Sequence, residues 1–329
     1  MIRLLLFFMI VIDGGKLYAQ EIPHRTDWFK EAGFGLFFHY LNGLQNNKDK
    51  VNSQGKQTSW NECVNEFNTD TFASQVNETG ARYIIFTMMQ QQKYLCAPNE
   101  TYNRFTGYKP GEACSKRDLV EDLFQSLKKY DIKLILYWTG DGPFKDKKAA
   151  EGLEYTTQTP EEFVENWAEV AAEYGLRYKE KVAGWWVDGC YSFSGYYDNK
   201  WTILARGLRK GFQDRIIALN NPQGGRAHSS TANDDYTTGE QNDFIEVPVC
   251  RWRDGAQFHI LSWLGENWAK PGLKYEKSYL LNYVADVIGH EGVVSIDVAL
   301  NRDGTLCEEQ FRFLQGFKKD VDKIIENKY

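Results

Sequence analysis

The stretch Asp118–Trp138, DLVEDLFQSLKKYDIKLILYW, decides the fold. Its first part places apolar side chains at 119, 120, 123, 124 and 127, the i, i+3/i+4 spacing of one buried helical face. Its second part, Lys133 to Trp138, is an almost unbroken apolar run and reads as a strand. A strand apolar at successive positions is covered on both faces, which implies a parallel sheet with helices outside it. The same alternation extends in both directions. Upstream, Gly33–His39 and Arg82–Met89 read as strands, with a helical piece at Thr71–Asn77 between them. Downstream, a helix opened by Pro160 runs to about Tyr178, Val182–Asp188 is a strand, Lys200–Phe212 a helix and Arg215–Leu219 a strand. Phe258–Leu264 and Gly292–Val298 then read as strands, and Tyr275–Ile288 and Glu308–Asn327 as helices. Asn220–Asn242 is polar and Gly-rich, with one short strand expected at Asp235–Thr237. Seven or eight such units predict an α/β fold, a single-domain (β/α)8-type barrel over residues 20–329. A doubly wound sheet is the alternative, but no GxGxxG follows the first strand.

Composition narrows the function classes. The 329 residues carry 39 Lys plus Arg against 45 Asp plus Glu, a net charge of −6, which argues against a nucleic-acid partner. Ten Trp, 19 Tyr and 20 Phe are enough both to fill a large core and to stack on sugar rings, so their number alone does not decide. Arg3, the apolar run Leu4–Ile12 and Leu17-Tyr18-Ala19 have the layout of a secretory signal, predicting residues 1–19 as a leader cut near Ala19 and an exported, periplasmic or secreted protein. No later stretch reaches the ~20 apolar residues of a membrane span. The six Cys contain no CxxC, and Cys96 and Cys114, which flank a loop-like segment, are the pair expected first to form a disulfide. Cys190 and Cys250 read as buried thiols. Five His without HxH or HExxH spacing give no metal site, and nothing calls for a cofactor.

In a barrel, chemistry sits at the carboxyl ends of strands. Those ends carry His39 and Tyr40, Gln90 to Gln92, Tyr137 and Trp138, Asp188, Asn220 and Asn221, and Glu240. Asp188 stands out because WWVD-Gly-Cys-Tyr puts a carboxylate between a bulky strand and a tight turn, although an Asp that merely caps that turn fits the same spacing. Glu240, in DDYTTGE, reads more readily as a solvated loop acid on spacing alone. Two carboxylates on barrel loops among aromatics suggest glycoside hydrolysis, one attacking the anomeric carbon and the other protonating the leaving oxygen. Carboxyl groups about 5–5.5 Å apart serve retention, and roughly 6.5–9.5 Å inversion.

From Trp28 to about Phe317 the chain resembles the α-L-fucosidases of glycoside hydrolase family 29. FGLFFHY at 34–40, ARYIIFTMM at 81–89, CSKRDLVEDLFQSLKKYDIKLILYW at 114–138, WWVDG at 185–189 and VADVIGHEGVVSIDVALNRDG at 284–304 carry the likeness in order and spacing. The resemblance implies Asp188 as nucleophile and Glu240 as acid/base, with Glu246 as the fallback. It also implies that His39, Trp60, Tyr137 and Trp186 line the sugar pocket. Where the family has Lys-His-His-Asp-Gly, this chain has Met89, Gln90, Gln91, Gln92 and Lys93, which makes Gln90 and Gln91 the expected sugar ligands in place of a His pair. Arg226 is a loose match to a basic pocket residue, and Ser295-Ile296-Asp297 replaces a Leu-Leu-Asn run. The chain stops at Tyr329, so the β-sandwich that succeeds the barrel in many members is not expected. The resemblance thus implies a retaining exo-glycosidase acting on an oligosaccharide or glycoconjugate, with a sugar that need not be fucose. A non-catalytic exported glycan-binding barrel is the alternative.

Overall fold

The computed structural model describes residues 10–13, 16–19, 24–221 and 225–328. The expected leader falls largely outside them; within it, Ile10–Asp13 pairs antiparallel with Lys16–Ala19. The organising element is a seven-stranded, wholly parallel sheet: β1 (Phe34–Phe38), β2 (Tyr83–Thr87), β3 (Lys133–Thr139), β4 (Gly184–Asp188), β5 (Ile216–Leu219), β6 (His259–Trp263) and β7 (Val293–Asp297). Their spatial order is β6-β7-β1-β2-β3-β4-β5. This is an α/β architecture consistent with a (β/α)8-like barrel. Among the described residues no helix is long and apolar enough to cross a membrane.

The unbroken apolar strands are explained by period-2 alternation between two dry compartments. On β3, Ile135 and Tyr137 join Phe37, Trp186 and Leu261 in one cluster on the inner face. Leu134, Leu136 and Trp138 join Trp185 and Val187 in the layer under the helices. There Trp138 stacks on Trp167 of the helix Glu161–Tyr178, ring centroids 4.3 Å apart. The helix Leu119–Lys128 buries Leu119, Val120, Leu123 and Leu127, each worth about 1.5–3 kcal/mol. Its Asp118 cap accepts the Glu121 N–H at 3.0 Å. Phe124, on the same expected face, is only partly buried.

Between β5 and β6 lies the polar segment 235–241, and it does not form the expected strand. Only isolated bridges form, at Tyr236–Gln257 and Glu240–Leu261. It nonetheless bonds to both edges of the sheet: the Asp235 N–H donates to Ile217 O at 2.8 Å on one side, and the Leu261 N–H to Gly239 O at 2.8 Å on the other. Gly239 has φ +63°, and a Cβ there would lie 2.0 Å from His259 O, so a side chain is excluded. Side chains replace the missing ladder. The His259 N–H donates to Thr237 Oγ1 (2.8 Å), that hydroxyl donates to His259 O (2.7 Å), and His259 Nδ1 sits 2.9 Å from Thr237 O. Facing a carbonyl, Nδ1 must carry the proton, so Nε2 accepts from Ser295 Oγ at 2.8 Å.

Three further expectations are corrected. Cys96 and Cys114 are both buried and unpaired; Cys114 bridges through its backbone to Leu95, and Cys96 Sγ lies against Thr87 O at 3.5 Å. Cys190 is buried as expected, whereas Cys250 is exposed. The single helix expected over 308–327 is two, Glu308–Leu314 and Phe317–Lys328, because Gly316 between them adopts φ +70°.

Complete burial pushes the His259 pKa down to about 4 from 6.5. The unfolded chain therefore binds a proton that the folded one refuses between those values, so stability present above pH 6.5 is lost as the pH falls toward 4. Urea unfolding across this range should show a loss on the order of 3 kcal/mol from this residue. His259→Asn should have a visibly flatter pH dependence; an unchanged slope would contradict the assignment.

Candidate active site

The register of the sheet brings chemistry to one end. Thr139 pairs with Asp188, Tyr137 with Trp186, Thr87 with Tyr137 and Phe37 with Asp297, so the carboxyl ends of β7, β1, β2, β3 and β4 finish level. They open into a cavity of about 350 Å³. Its walls include His39, Gln90, Gln91, Tyr137, Trp186, Asp188 and Glu240, together with Trp268, Tyr94 and Lys145.

Asp188 closes β4 with both oxygens engaged. Oδ2 accepts from the Tyr137 hydroxyl at 2.8 Å. Oδ1 accepts from Tyr191 (2.7 Å), Asn220 Nδ2 (3.1 Å) and the Gly189 N–H (2.8 Å). The last bond is the turn cap that the sequence left open, and it coexists with a carboxylate lining the cavity. Gln90 Nε2 donates to the Tyr137 oxygen at 2.9 Å, which leaves the phenol proton to point at Asp188. Tyr137 in turn stacks on Trp186 at 5.4 Å and 15°, and the Trp186 indole N–H donates to Thr238 O at 3.0 Å. The ring that presents the donor to Asp188 is thereby fixed by packing on one face and by an amide at its oxygen.

Glu240 enters from the irregular segment. Its Oε2 accepts from Asn220 Nδ2 at 2.6 Å. One amide nitrogen thus serves both carboxyl groups, and the two oxygens it holds can be no farther apart than the two bonds laid end to end, about 5.7 Å. Asn220 is positioned by its backbone N–H on Val187 O (2.6 Å) and by the Thr238 hydroxyl on its Oδ1 (3.1 Å). Burial, and then the Asp188 charge, push the Glu240 pKa up to about 7. Glu240 therefore holds a proton through the acidic range while Asp188 is surrounded by four donors.

Just past the end of β1, His39 Nδ1 bonds Asp297 Oδ2 at 2.8 Å, and Asp297 Oδ1 accepts the Ala269 N–H at 2.6 Å. The carboxylate fixes the Nδ1 tautomer and leaves Nε2 for a ligand. Gln91 lines the cavity with φ +60°, a left-handed conformation uncommon for a side chain of this kind.

Three expected residues are elsewhere. Trp60 is buried one layer back, with its indole N–H on Leu95 O at 2.8 Å and its ring 5.9 Å from that of Tyr94, which does line the cavity. Glu246 is paired with Arg253 at 3.0 Å and accepts the Ala227 N–H at 2.7 Å, and Arg226 approaches this same Glu246 at 3.8 Å. None of the three lines the cavity. Several residues at the site have no role that the sequence predicts. Asn220 is visible there only as a polar residue ending a strand, and Asp297 only as a departure from a run. Asp141 has no signal. Its carboxyl occupies the space where a Cβ on Gly189 would fall, 2.7 Å from Cγ. Burial and the Asp188 charge raise its pKa to about 8.

A family model for alpha-L-fucosidase matches residues 18–319. A curated Caenorhabditis elegans protein, provisionally named alpha-L-fucosidase, is 28% identical over an alignment of 175 residues, with 46% of this chain and 35% of that protein covered. The aligned part spans about a third of that relative's length. Among solved structures, an alpha-L-fucosidase of family GH29 from Bacteroides thetaiotaomicron superimposes with a TM-score of 0.65 at 14% identity, covering 97% of this chain and 77% of the other. An endo-fucoidan hydrolase of glycoside hydrolase family 107 gives 0.69 at 15% identity, covering 91% and 94%. Alpha-L-fucosidase isoenzyme 1 from Paenibacillus thiaminolyticus gives 0.64 at 15%, covering 90% and 74%. These structural likenesses establish a shared fold, and the family match over nearly the whole described chain establishes membership: the chain belongs to the alpha-L-fucosidase family, a family of glycoside hydrolases.

Proposed function

We propose that the protein is a retaining exo-glycosidase of the alpha-L-fucosidase type, with Asp188 as nucleophile and Glu240 as acid/base. The observation that carries this reading is the shared Asn220 amide, which brings one oxygen of each carboxyl group within about 5.7 Å of the other, a closeness that favours retention over inversion. Asp188 attacks the anomeric carbon while Glu240 gives its proton to the glycosidic oxygen, and the aglycone departs. Water then attacks the glycosyl ester, losing its proton to Glu240, and Asp188 leaves as the carboxylate. Raising Glu240 through the Asp188 charge suits both steps. Once Asp188 is esterified the repulsion is gone, Glu240 becomes more acidic, and it is then a carboxylate able to act as base.

Family membership supports a terminal α-L-fucoside as substrate. A specificity moved away from fucose is the second reading, favoured by Gln90, whose amide N–H is directed to Tyr137. The leader-like residues 1–19 support action outside the cytoplasm, on an oligosaccharide or glycoconjugate.

With an aryl α-L-fucoside, Asp188→Asn should lower kcat by about a thousandfold or more, and NMR of the first-formed sugar from the unmodified protein should show the α-anomer. Full activity in the variant, or a β-anomer first, would reject the assignment. Glu240 must be protonated for the first step, so kcat/KM should fall as the pH rises through about 7. The same raised pKa means that the folded state keeps a proton which the unfolded chain releases above about pH 4.5, so stability is lost as pH rises from there toward 7. Glu240→Gln should therefore gain on the order of 2 kcal/mol in urea unfolding at pH 8 while losing activity. Equal stabilities at pH 8 would count against a buried, strained acid.

A further inference from the structure

Resting on that reading, we propose that the sugar cleaved at Asp188 carries a sulfate ester, and that Lys145 is the residue that recognises it. An exposed lysine is unremarkable by itself; what sets this one apart is its place and its lack of a counter-charge. Lys145 follows β3 and lines the same cavity as Asp188 and Glu240, and among the described residues it is the one Lys or Arg that does so. Its backbone is fixed. The Lys145 N–H donates to Gln91 O at 2.9 Å, and the next residue, Asp146, caps the helix Lys147–Gly152 by accepting the Ala149 N–H at 2.9 Å. The ammonium, by contrast, makes no hydrogen bond and no ion pair among the described residues; the Phe144 ring centroid lies 5.7 Å from it. The lysines around it are engaged. Lys93 lies 3.4 Å from the Tyr108 hydroxyl and 3.9 Å from Asp146, Lys147 lies 3.7 Å from Glu151, and Lys148 donates to Gly107 O at 2.8 Å. Asp141, whose carboxyl feels the Lys145 charge, keeps its proton below about pH 8 through burial and the Asp188 charge, so it neutralises nothing there.

The cavity wall beside Lys145 is rich in free donors. The side-chain amides of Gln91 and Gln92 make no hydrogen bond among the described residues. A Cβ on Gly43 would come 3.7 Å from Gln92 Nε2, which places that amide against the turn carrying Asn42. Asn42 Oδ1 is already taken by Asn46 Nδ2 at 2.9 Å, so what Asn42 has left to offer is its NH2. Amides alone suffice for a sugar hydroxyl, which both gives and accepts; an ammonium only gives, and its full strength is realised against an anion. In a fucoside the sixth carbon is a methyl group, so a carboxylate is not available there and the anion has to be an ester on a ring hydroxyl. A sulfate ester offers three acceptor oxygens, no proton and a single negative charge, the match for one ammonium among amide donors. A phosphate monoester carries a charge of about −1.5 to −2 at pH 7, and beside Asp188 the excess would find no second cation in the cavity. With a net charge of −6 the chain has no general attraction for anions, so the discrimination rests on this local pair.

The test compares an aryl α-L-fucoside with its ring O-sulfates and with the phosphate monoester at the position where sulfate is preferred. In the unmodified protein one of the sulfates should give a higher kcat/KM than the unsubstituted fucoside. Lys145→Gln should lower that ratio, sulfated over unsubstituted, about three- to tenfold, chiefly through KM for the sulfate, and Lys145→Arg should retain it. The Lys145 side chain is exposed and bonds to nothing in the fold, so neither variant threatens folding. No sulfate preferred over the unsubstituted fucoside, a ratio unchanged in Lys145→Gln, or a phosphate preferred over the sulfate overturns the proposal. If the unmodified protein hydrolyses none of these compounds, the hydrolase reading fails separately. Calorimetric titration with methyl α-L-fucoside and its ring O-sulfates then decides: a preference for a sulfate that Lys145→Gln lowers upholds the site, while no preference, an unchanged ratio or no binding overturns it.

Discussion

Two carboxyl groups with oxygens no more than about 5.7 Å apart repel each other when both carry charge, and the rest of the site depends on how that repulsion is managed. Asn220 donates to both through one nitrogen. The remaining donors, Tyr137, Tyr191 and the Gly189 N–H, are all given to Asp188. Glu240, with only the Asn220 amide, is the group whose pKa burial and the Asp188 charge raise to about 7. In the proposed reaction the charge passes from Asp188 to Glu240 while the total stays constant, so a frame that stabilises one state also suits the other. Asp141, neutral and packed under Gly189, extends the rule: a third ionised carboxylate is excluded from the same neighbourhood by burial.

The scaffold makes this geometry possible by an unequal distribution of order. The seven strands fix Asp188, Tyr137, Trp186 and His39 by backbone register, and their alternating side chains fill an inner and an outer core. Glu240 arrives by another route. Segment 235–241 lacks strand periodicity and is held in the gap by Thr237 and His259, by Asp235 on β5, and by a glycine that only a missing side chain lets approach. The acid/base candidate thus sits on the least regular stave and the nucleophile candidate on one of the most regular. A nucleophile must be held at a fixed angle, whereas the proton donor must track an oxygen that moves away.

This distribution also explains what can be read in the sequence. Continuous apolar strands such as KLILYW and the spacing in DLVEDLFQSLKKY announce a parallel sheet under helices, because burial on both faces is a local property of the pattern. Asp188 is legible for the same reason, as a carboxylate ending such a strand. Glu240 is legible only through resemblance, since polar side chains standing in for a ladder leave no period to read. The His39–Asp297 pair joins residues 258 apart in sequence, and the Asn220 bridge depends on two elements meeting at a register that no spacing encodes. Trp60 shows the converse: an aromatic that suits a sugar wall by type is used one layer back, its indole N–H already satisfied by Leu95 O. Cys96 and Cys114, a plausible pair from the loop between them, are instead separate buried thiols.

The central claim is that Asp188 forms the covalent glycosyl-enzyme. Incubating Glu240→Gln with a 2-fluoro-fucosyl fluoride and mapping the product by peptide mass spectrometry tests it most directly, because deglycosylation lacks its base and the fluorine slows both steps. The predicted result is one fluorofucosyl group per chain, on the peptide containing Asp188. A label on another residue, or consumption of the fluoride with no covalent species, would contradict it.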